Sequence, residues 1–240
     1  MNFRRQPSTP PVVMNLIIAN AVVFLASMLY ESSMVRFGLF NIDLREGAQE
    51  MWNYFINYQS INDPTWSQAH FEIWQPFTYM FMHANISHLF FNMFSLWMFG
   101  RTLEVELGWK RFLTYYLVCG VGAGLFQMGI AQIDLSHLAV GDPAWISYMQ
   151  TPTVGASGAI FGLLLAFGML HPNATIMLII PPIPMKAKWF VVIYGILELL
   201  LGVWGTMSGV AHFAHLGGMF WGWLLLLWWR RRDRNRYMYY

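Results

Sequence analysis

Long apolar runs alternate with short polar segments along most of the chain. A window of about 20 residues, the length that crosses about 30 Å of hydrocarbon, finds six such runs. They lie near residues 12–30, 84–100, 112–133, 157–171, 188–206 and 211–229. The pattern predicts an all-α polytopic protein with six transmembrane helices. It places a cytoplasmic segment at 1–11, a membrane domain at 12–229 and a basic cytoplasmic tail at 230–240.

The fourth apolar run is unusually short. From Ser157 to His171, at about 1.5 Å per residue, a helix would reach only about 22 Å. If it runs towards the cytoplasm, the missing length is at its outer end, so the helix would begin below the membrane surface. Its first N–H groups lack helical partners, which is tolerated only where they line a watery cavity.

Positive charges give the orientation of the six helices. Cytoplasmic flanks of membrane helices collect Lys and Arg. With both termini inside, almost all the basic residues fall on the cytoplasmic side, and only Arg36 and Arg45 remain outside. The cytoplasmic set is Arg4, Arg5, Arg101, Lys110, Arg111, Lys186, Lys188, Arg230, Arg231, Arg232, Arg234 and Arg236. A compact chain with basic termini of this kind suits a bacterial inner membrane.

The composition indicates that the chain lies in a lipid bilayer, and it excludes several classes of function. The chain is 57% hydrophobic and only 11% charged, far from the balance of a soluble domain. No basic, aromatic-laced patch supports binding of nucleic acid. The single cysteine, Cys119, excludes internal disulfides and Cys-rich zinc sites. The sequence makes no prediction of the oligomeric state.

The outer segment between the first two predicted helices is about fifty residues long, far longer than an ordinary loop. It is rich in aromatic residues, which favour the headgroup level of a membrane. These are Trp52, Tyr54, Phe55, Tyr58, Trp66, Phe71 and Trp74. We expect interfacial helices or a re-entrant hairpin, associated with the membrane.

Polar side chains inside the predicted spans are few, and each needs a cavity or a partner at that depth. His88 and Asn92 share one face of the second helix because they are four residues apart. Ser157 opens the fourth helix, and His215 lies one turn inside the sixth. Both of these helices run inward, so Ser157 and His215 have comparable depths.

These residue types fit nucleophilic catalysis. A serine hydroxyl needs a base within hydrogen-bonding distance, and helix N–H groups can stabilise an oxyanion. Close approach of the two helices is favoured by two small-xxx-small faces. The glycines of these faces are Gly158, Gly162, Gly218 and Gly222.

Three motifs together resemble those of the rhomboid family of intramembrane serine proteases. Gly155-Ala156-Ser157-Gly158, followed by Gly162, resembles the GxSG nucleophile motif. Ala214-His215-Leu216-Gly217-Gly218, followed by Gly222, resembles the AHxxGxxxG motif. His88-Leu89-Phe90-Phe91-Asn92 resembles the HxxxN pattern, and the resemblance covers about residues 77–222.

The resemblance implies an enzyme and assigns its residues. Ser157 would be the nucleophile and His215 the general base and then acid, with no metal or cofactor. His88, Asn92 and the Ser157 N–H would stabilise the oxyanion. The substrates would be single-pass or polytopic membrane proteins, cut near the outer ends of their transmembrane helices.

Two residues depart from the family pattern. Gln75 follows Trp74 where many members have arginine, which bears on how the outer segment is anchored. Phe161 stands where some members have a tyrosine under the histidine. Stacking on His215 remains available to Phe161, whereas a phenolic hydrogen bond does not.

Three polar residues keep alternative interpretations. His212 could in principle be the base, but the glycine register favours His215. His83 and His212 either line a water-accessible mouth or are interfacial polar groups. Glu198, in the fifth span, is expected to be protonated and structural, because contact with His215 requires a steep approach; the alternative is a catalytic triad.

Two rival functions remain. A membrane protein that binds a metal through His83, His88, His212 and His215 is permitted by spacing, but it leaves the GxSG segment unexplained. A catalytically silent rhomboid-like protein would bind transmembrane helices without cutting them. Such proteins usually lack the serine or the histidine, and this chain has both.

Overall fold

The structure is a computed structural model that describes residues 9–30, 34–45, 47–60, 70–177, 183–204 and 211–237. This part of the chain is mostly helical. Its α-helices are α1 Pro11–Leu29, α2 Ala48–Ser60, α3 Gln75–Thr78, α4 Ile86–Ser95, α5 Arg101–Leu107, α6 Trp109–Ser136, α7 Pro143–Gln150, α8 Ser157–Leu170, α9 Ala187–Trp204 and α10 His212–Tyr237. Short 3-10 helices lie at Val35–Phe37 and Tyr79–Phe81, and a π-helical stretch, Leu96–Gly100, joins α4 to α5.

A small antiparallel hairpin precedes α9. Its strands are β1 Thr175–Met177 and β2 Pro184–Lys186, and Ile176 pairs with Met185. Some residues that the predictions cover lie outside the described ranges. These are residues 1–8, Trp66 and residues 205 and 206. The same holds for the side chains of Tyr54, Phe55 and Tyr58.

Helices occupy each of the six predicted ranges. By length and composition, three helices of the described ranges suffice to cross a membrane: α1, α6 and α9. Helix α8 is apolar but has only 14 residues, so it reaches about 21 Å. Helix α10 continues through residues 230–237, which were predicted as a tail, and Asp233 there forms an ion pair with Arg111 at 2.8 Å.

Helices α6, α8 and α10 form the centre of the molecule and contact one another extensively. Small residues permit this because backbones can approach closely only where side chains are absent. A Cβ atom added to Gly218 of α10 would overlap the Gly158 carbonyl oxygen of α8. One added to Gly162 would lie 2.5 Å from Cys119 Sγ of α6. The glycine faces therefore pack on each other and on α6.

Side-chain caps explain where two of the helices begin. Asn85 Oδ1 accepts a hydrogen bond from the N–H of His88 at 2.8 Å and so caps α4. Glu104 caps α1, since its two carboxylate oxygens accept from the N–H groups of Val12 and Val13 at 2.9 and 2.7 Å. Glu104 is 3% exposed, so this cap is buried.

The outer segment is anchored by Gln75 and has a small core of its own. Gln75 is fully buried, and its amide donates to the carbonyl oxygens of Arg36 and His70 while its oxygen accepts from Phe40 N. Gln75 therefore secures the segment without an arginine. Trp52, one of the aromatics expected at the headgroup level, is instead buried against Trp145, because the two rings pack edge to face at 5.8 Å.

Candidate active site

Ser157 is the first residue of α8, and the loop before it is tightly held. Leu39 and Thr153 form an antiparallel bridge, and the Gly155 N–H donates to the Tyr79 carbonyl at 2.9 Å. Gly155 has a φ of +127°, which residues with a side chain rarely adopt. This glycine lets the chain turn sharply into α8 and present the Ser157 hydroxyl.

The N-terminus of α8 supplies donors beside that hydroxyl. The first backbone hydrogen bond of the helix runs from Ile160 N to Ala156 O at 3.1 Å. The N–H groups of Ser157, Gly158 and Ala159 are consequently not used within the helix. Together with the helix dipole they favour negative charge at this point.

His215 of α10 faces Ser157 directly. Its Nε2 lies 2.7 Å from Ser157 Oγ, and its ring stacks on Phe161 with a centroid distance of 4.2 Å and an angle of 6°. Phe161 lies one turn after Ser157 on α8, so one helix supplies both the hydroxyl and the surface under the imidazole. The ring stacking that the sequence left available to phenylalanine is present.

Glu198 of α9 contacts the other side of the same imidazole. Its Oε2 lies 2.9 Å from His215 Nδ1 and 2.7 Å from His212 Nδ1. All three side chains are buried. The contact that we judged steep from helix depth is made. His212, which we considered for the mouth of the site, is buried against Glu198.

His88 lies next to Gly155, two residues before Ser157. A Cβ atom on Gly155 would come within 2.8 Å of His88 Nε2 and 3.6 Å of Ser157 Oγ. His88 Nδ1 lies 3.4 Å from the Ala84 N–H, which donates to it. In its neutral form the ring therefore carries its proton on Nε2, which lies beside Gly155.

Two further predicted residues lie close to His88. Asn92 is buried one turn later on the same face of α4, and within the described ranges it makes no hydrogen bond to Ser157 or His215. His83 packs edge to face on His88 with ring centroids 5.0 Å apart. His83 also lines a cavity of about 590 Å³ between the end of α1 and the loop before α8.

A metal ion has one candidate position among the described residues. Glu198, His212 and His215 offer ligand atoms that all lie within 4.8 Å of one another. This set contains two of the four histidines that spacing suggested, and it does not include His83 and His88. A carboxylate and two imidazoles are suitable ligands for zinc.

The geometry supports proton transfer from a serine hydroxyl. An O–H donor, an imidazole acceptor and a carboxylate behind the imidazole lie in sequence, with backbone and imidazole donors beside the hydroxyl. Sequence reasoning underestimated how closely Glu198 approaches His215. The available signal was the pair Gly195 and Gly202, which share a face of α9 with Glu198 and lie against Met219 and against His212 and Phe213 of α10.

Comparison with known proteins gives an independent result. Residues 70–232, more than half of the chain, match the Rhomboid domain family. Rhomboid protein 1, mitochondrial, of Saccharomyces cerevisiae is 32% identical over 149 residues, which cover 60% of this chain and 40% of that protein. Rhomboid protease AarA of Providencia stuartii is 30% identical over 148 residues, which cover 58% and 50% respectively.

A longer alignment is found with RHOMBOID-like protein 12, mitochondrial, of Arabidopsis thaliana. It is 31% identical over 214 residues, or 86% of this chain and 55% of that protein. The aligned regions thus span between 40% and 55% of these three relatives' own lengths.

Proposed function

Since this chain belongs to the rhomboid family, we propose that it is an intramembrane serine endopeptidase that hydrolyses peptide bonds in or near the transmembrane segments of other membrane proteins. The observation that carries the proposal is the 2.7 Å contact between Ser157 Oγ and His215 Nε2. The family implies a multi-pass membrane protein, and one similar bacterial protein is named a protease.

The proposed topology has six transmembrane helices with both termini in the cytoplasm. The basic residues at the ends of the apolar helices support this orientation. The short helix α8 then begins below the outer surface, and the site opens to the outer face. The membrane we propose is a bacterial inner membrane; relatives include mitochondrial and plant proteins as well as a bacterial one.

In the first half of the reaction the enzyme is acylated. Ser157 Oγ attacks the carbonyl carbon of the scissile bond while its proton passes to His215 Nε2. The carbonyl oxygen becomes an oxyanion. When the tetrahedral intermediate collapses, the C–N bond breaks, and His215 gives the proton to the leaving amine.

Oxyanion stabilisation is assigned to the free N–H groups at the start of α8 and to His88. Donors fixed before the reaction stabilise developing charge without reorganising, and removal of one donor in other serine proteases costs about 10²- to 10³-fold in rate. Asn92 is assigned a supporting role from the family motif. No donor in this set requires a metal ion.

In the second half, water hydrolyses the acyl-enzyme. His215 takes a proton from the water, the hydroxide attacks the ester carbonyl, and Ser157 leaves with the proton returned by His215. The water enters from the outer face. A substrate helix with small, helix-destabilising residues would unwind into the site, because backbone in a helical hydrogen-bond ladder is not free to be attacked.

Cleavage of a model transmembrane substrate by purified protein tests this function. Wild type should cut it, and Ser157→Ala and His215→Ala should reduce the rate by more than about 10³-fold. Ser136→Ala is the matched control because its hydroxyl is bonded to the Ile133 carbonyl at the end of α6. Cleavage by Ser157→Ala at the wild-type rate would overturn the proposal.

Metal binding is a second candidate function, favoured by the Glu198, His212 and His215 cluster. It predicts that purified protein retains a stoichiometric transition metal and loses its function on chelation. Metal analysis together with the cleavage assay separates the two functions. A silent helix-binding protein is separated by the same assay, since it would bind the substrate and leave it intact.

A further inference from the structure

We infer that Glu198 is a positioning residue for His215, and that His212 holds Glu198 in place. The active site would then be a linear relay of Ser157, His215, Glu198 and His212. This inference rests on the proposed function, and it adds two residues to the Ser-His pair that the family resemblance implies.

The distances define a continuous chain of contacts. Ser157 Oγ is 2.7 Å from His215 Nε2, His215 Nδ1 is 2.9 Å from Glu198 Oε2, and the same Oε2 is 2.7 Å from His212 Nδ1. If the Ser157 hydroxyl donates to Nε2, then neutral His215 carries its own proton on Nδ1. That proton is donated to Glu198, which fixes the tautomer that a general base requires.

His212 completes the arrangement from the same helix as His215. Its Nε2 is buried without a hydrogen-bond partner in the part of the chain that the structure describes. A buried N–H without an acceptor is more costly than a nitrogen lone pair without a donor, so the proton is favoured on Nδ1. His212 therefore donates to Glu198 Oε2, which then accepts from two imidazoles. Two such donors hold the Glu198 carboxylate in one position between the two imidazoles.

Packing of α9 on α10 aims Glu198 at this point. Its neighbours on α9, including Ile196, Leu197, Leu199 and Leu200, are exposed on the outside of the molecule, whereas Glu198 is buried. One turn beyond Glu198, a Cβ atom on Gly202 would lie 3.2 Å from His212 Cβ. The missing side chain brings the backbone of α9 close enough for a glutamate to reach both imidazoles.

The chemical consequence concerns the charged intermediate. When Ser157 transfers its proton, His215 becomes an imidazolium with protons on both nitrogens. A carboxylate next to Nδ1 stabilises that cation, and a buried site screens this interaction weakly. Glu198 keeps its charge and takes up no proton, so the proton balance of the reaction is unchanged.

The test compares Glu198→Gln with Glu106→Gln. Glu106 is the control because it contacts another histidine, His171, at 2.9 Å at the far end of α8. For Glu198→Gln we expect kcat to fall by about 100-fold or more, KM to change by less than about threefold, and fluorophosphonate labelling to slow in parallel with kcat. Glu106→Gln should retain wild-type kcat and KM.

Conservative variants separate positioning from folding. Glu198→Asp keeps the charge on a shorter side chain and should recover part of the lost kcat. His212→Asn retains an amide donor near the position of Nδ1, whereas His212→Leu removes it, so His212→Leu should lose about tenfold more kcat than His212→Asn. Rates are expressed per active site, counted by the end point of fluorophosphonate labelling.

The outcomes distinguish the two proposals. A Glu198→Gln enzyme with wild-type kcat per active site would overturn the positioning role of Glu198. If Ser157→Ala is inactive in the same assay, the proposed protease function still stands. Equal losses of kcat in Glu198→Gln and Glu198→Asp would also count against it. Cleavage by Ser157→Ala would instead overturn the proposed function itself.

Discussion

Helix α8 has a glutamate–histidine contact near each end, and the two contacts differ in their surroundings. Near its start, Glu198 contacts His215 and His212 with side chains that are 6–11% exposed. At its end, Glu106 contacts His171 at 2.9 Å with side chains that are 31% and 38% exposed. The residue types and the distances are nearly the same.

Under the proposed function, the Glu198 contact serves catalysis because it is buried and because of the groups on the other side of the imidazole. His215 has a serine hydroxyl on its other nitrogen and an aromatic ring under its face. His171 caps the cytoplasmic end of α8 in the proposed topology, where water and salt screen the pair. We expect perturbations at the start of α8 to change activity, and those at its end to change little.

The largest effect should come from separating the helices that carry Ser157 and His215. Gly218→Ala places a methyl group against the Gly158 carbonyl oxygen, so α8 and α10 must move apart. We expect a loss of at least about 100-fold in cleavage and a destabilisation of about 1–3 kcal/mol. Cleavage kinetics and thermal unfolding in detergent measure both.

Gly129→Ala is the matched control for that substitution. A Cβ atom on Gly129, in helix α6, meets no other atom within 4 Å. Alanine should therefore be tolerated there, with unchanged activity. If both variants lost activity equally, close contact at Gly218 would not be the cause.

A smaller effect is expected from the ring under His215. Phe161→Ala removes the stacked surface and should lower kcat by about three- to tenfold, since such ring pairs contribute about 0.5–1.5 kcal/mol. Phe161→Tyr keeps the ring and should stay close to wild type. Steady-state cleavage measures the difference, and equal activity of all three proteins would rule out a role for stacking.

A third carboxylate, that of Asp43, tests whether burial alone makes a carboxylate important for activity. Asp43 is 2% exposed and accepts hydrogen bonds from Arg45 and Trp145. Burial by itself raises the pKa of Asp43, but these hydrogen bonds outweigh it and hold the pKa below its ordinary value of 3.8. Asp43→Asn should cost about 1–3 kcal/mol of stability with little loss of kcat.

The sign of the pH dependence follows from that lowered pKa. Because the folded state binds the Asp43 proton less readily than the unfolded state, its contribution to stability is fully present above pH 3.8. It is lost as the pH falls through the folded-state pKa. Thermal unfolding at neutral and acid pH should show a smaller acid destabilisation in Asp43→Asn than in wild type, and an equal one would contradict the assignment.

The smallest effect is expected at the end of α8. Glu106→Gln removes a half-exposed pair, so the loss of stability should be below about 1 kcal/mol and should shrink at high salt. Unfolding midpoints at low and high salt measure it. A loss of cleavage comparable to that of Glu198→Gln would remove the distinction between the two ends.

Much of the fold followed from the sequence because membrane helices are specified by local composition. Apolar length gave the helix positions, and the short run after Ser157 gave a short helix. Glycine spacing indicated close packing of α8 on α10. The spacing did not reveal that Gly162 and Gly222 also face Cys119 of α6. A sequence pattern shows which face of a helix is small, but it does not show which helix packs there.

The contacts of Glu198, Glu104 and Trp52 were harder to predict for the same physical reason. Depth was estimated from the rise per residue along straight helices, which ignores tilt and rotation. Glu104 caps a helix more than ninety residues earlier in the chain, and Trp52 packs on Trp145 of the distant helix α7. Such contacts depend on tertiary placement, which local periodicity does not contain.

Mapping of a fluorophosphonate adduct tests whether His215 activates Ser157. Peptide mass spectrometry of the labelled wild-type protein should place one phosphonyl group on Ser157. His215→Ala, folded and treated identically, should carry almost none. An adduct on another serine, or equal labelling of Ser157 in His215→Ala, would contradict the account.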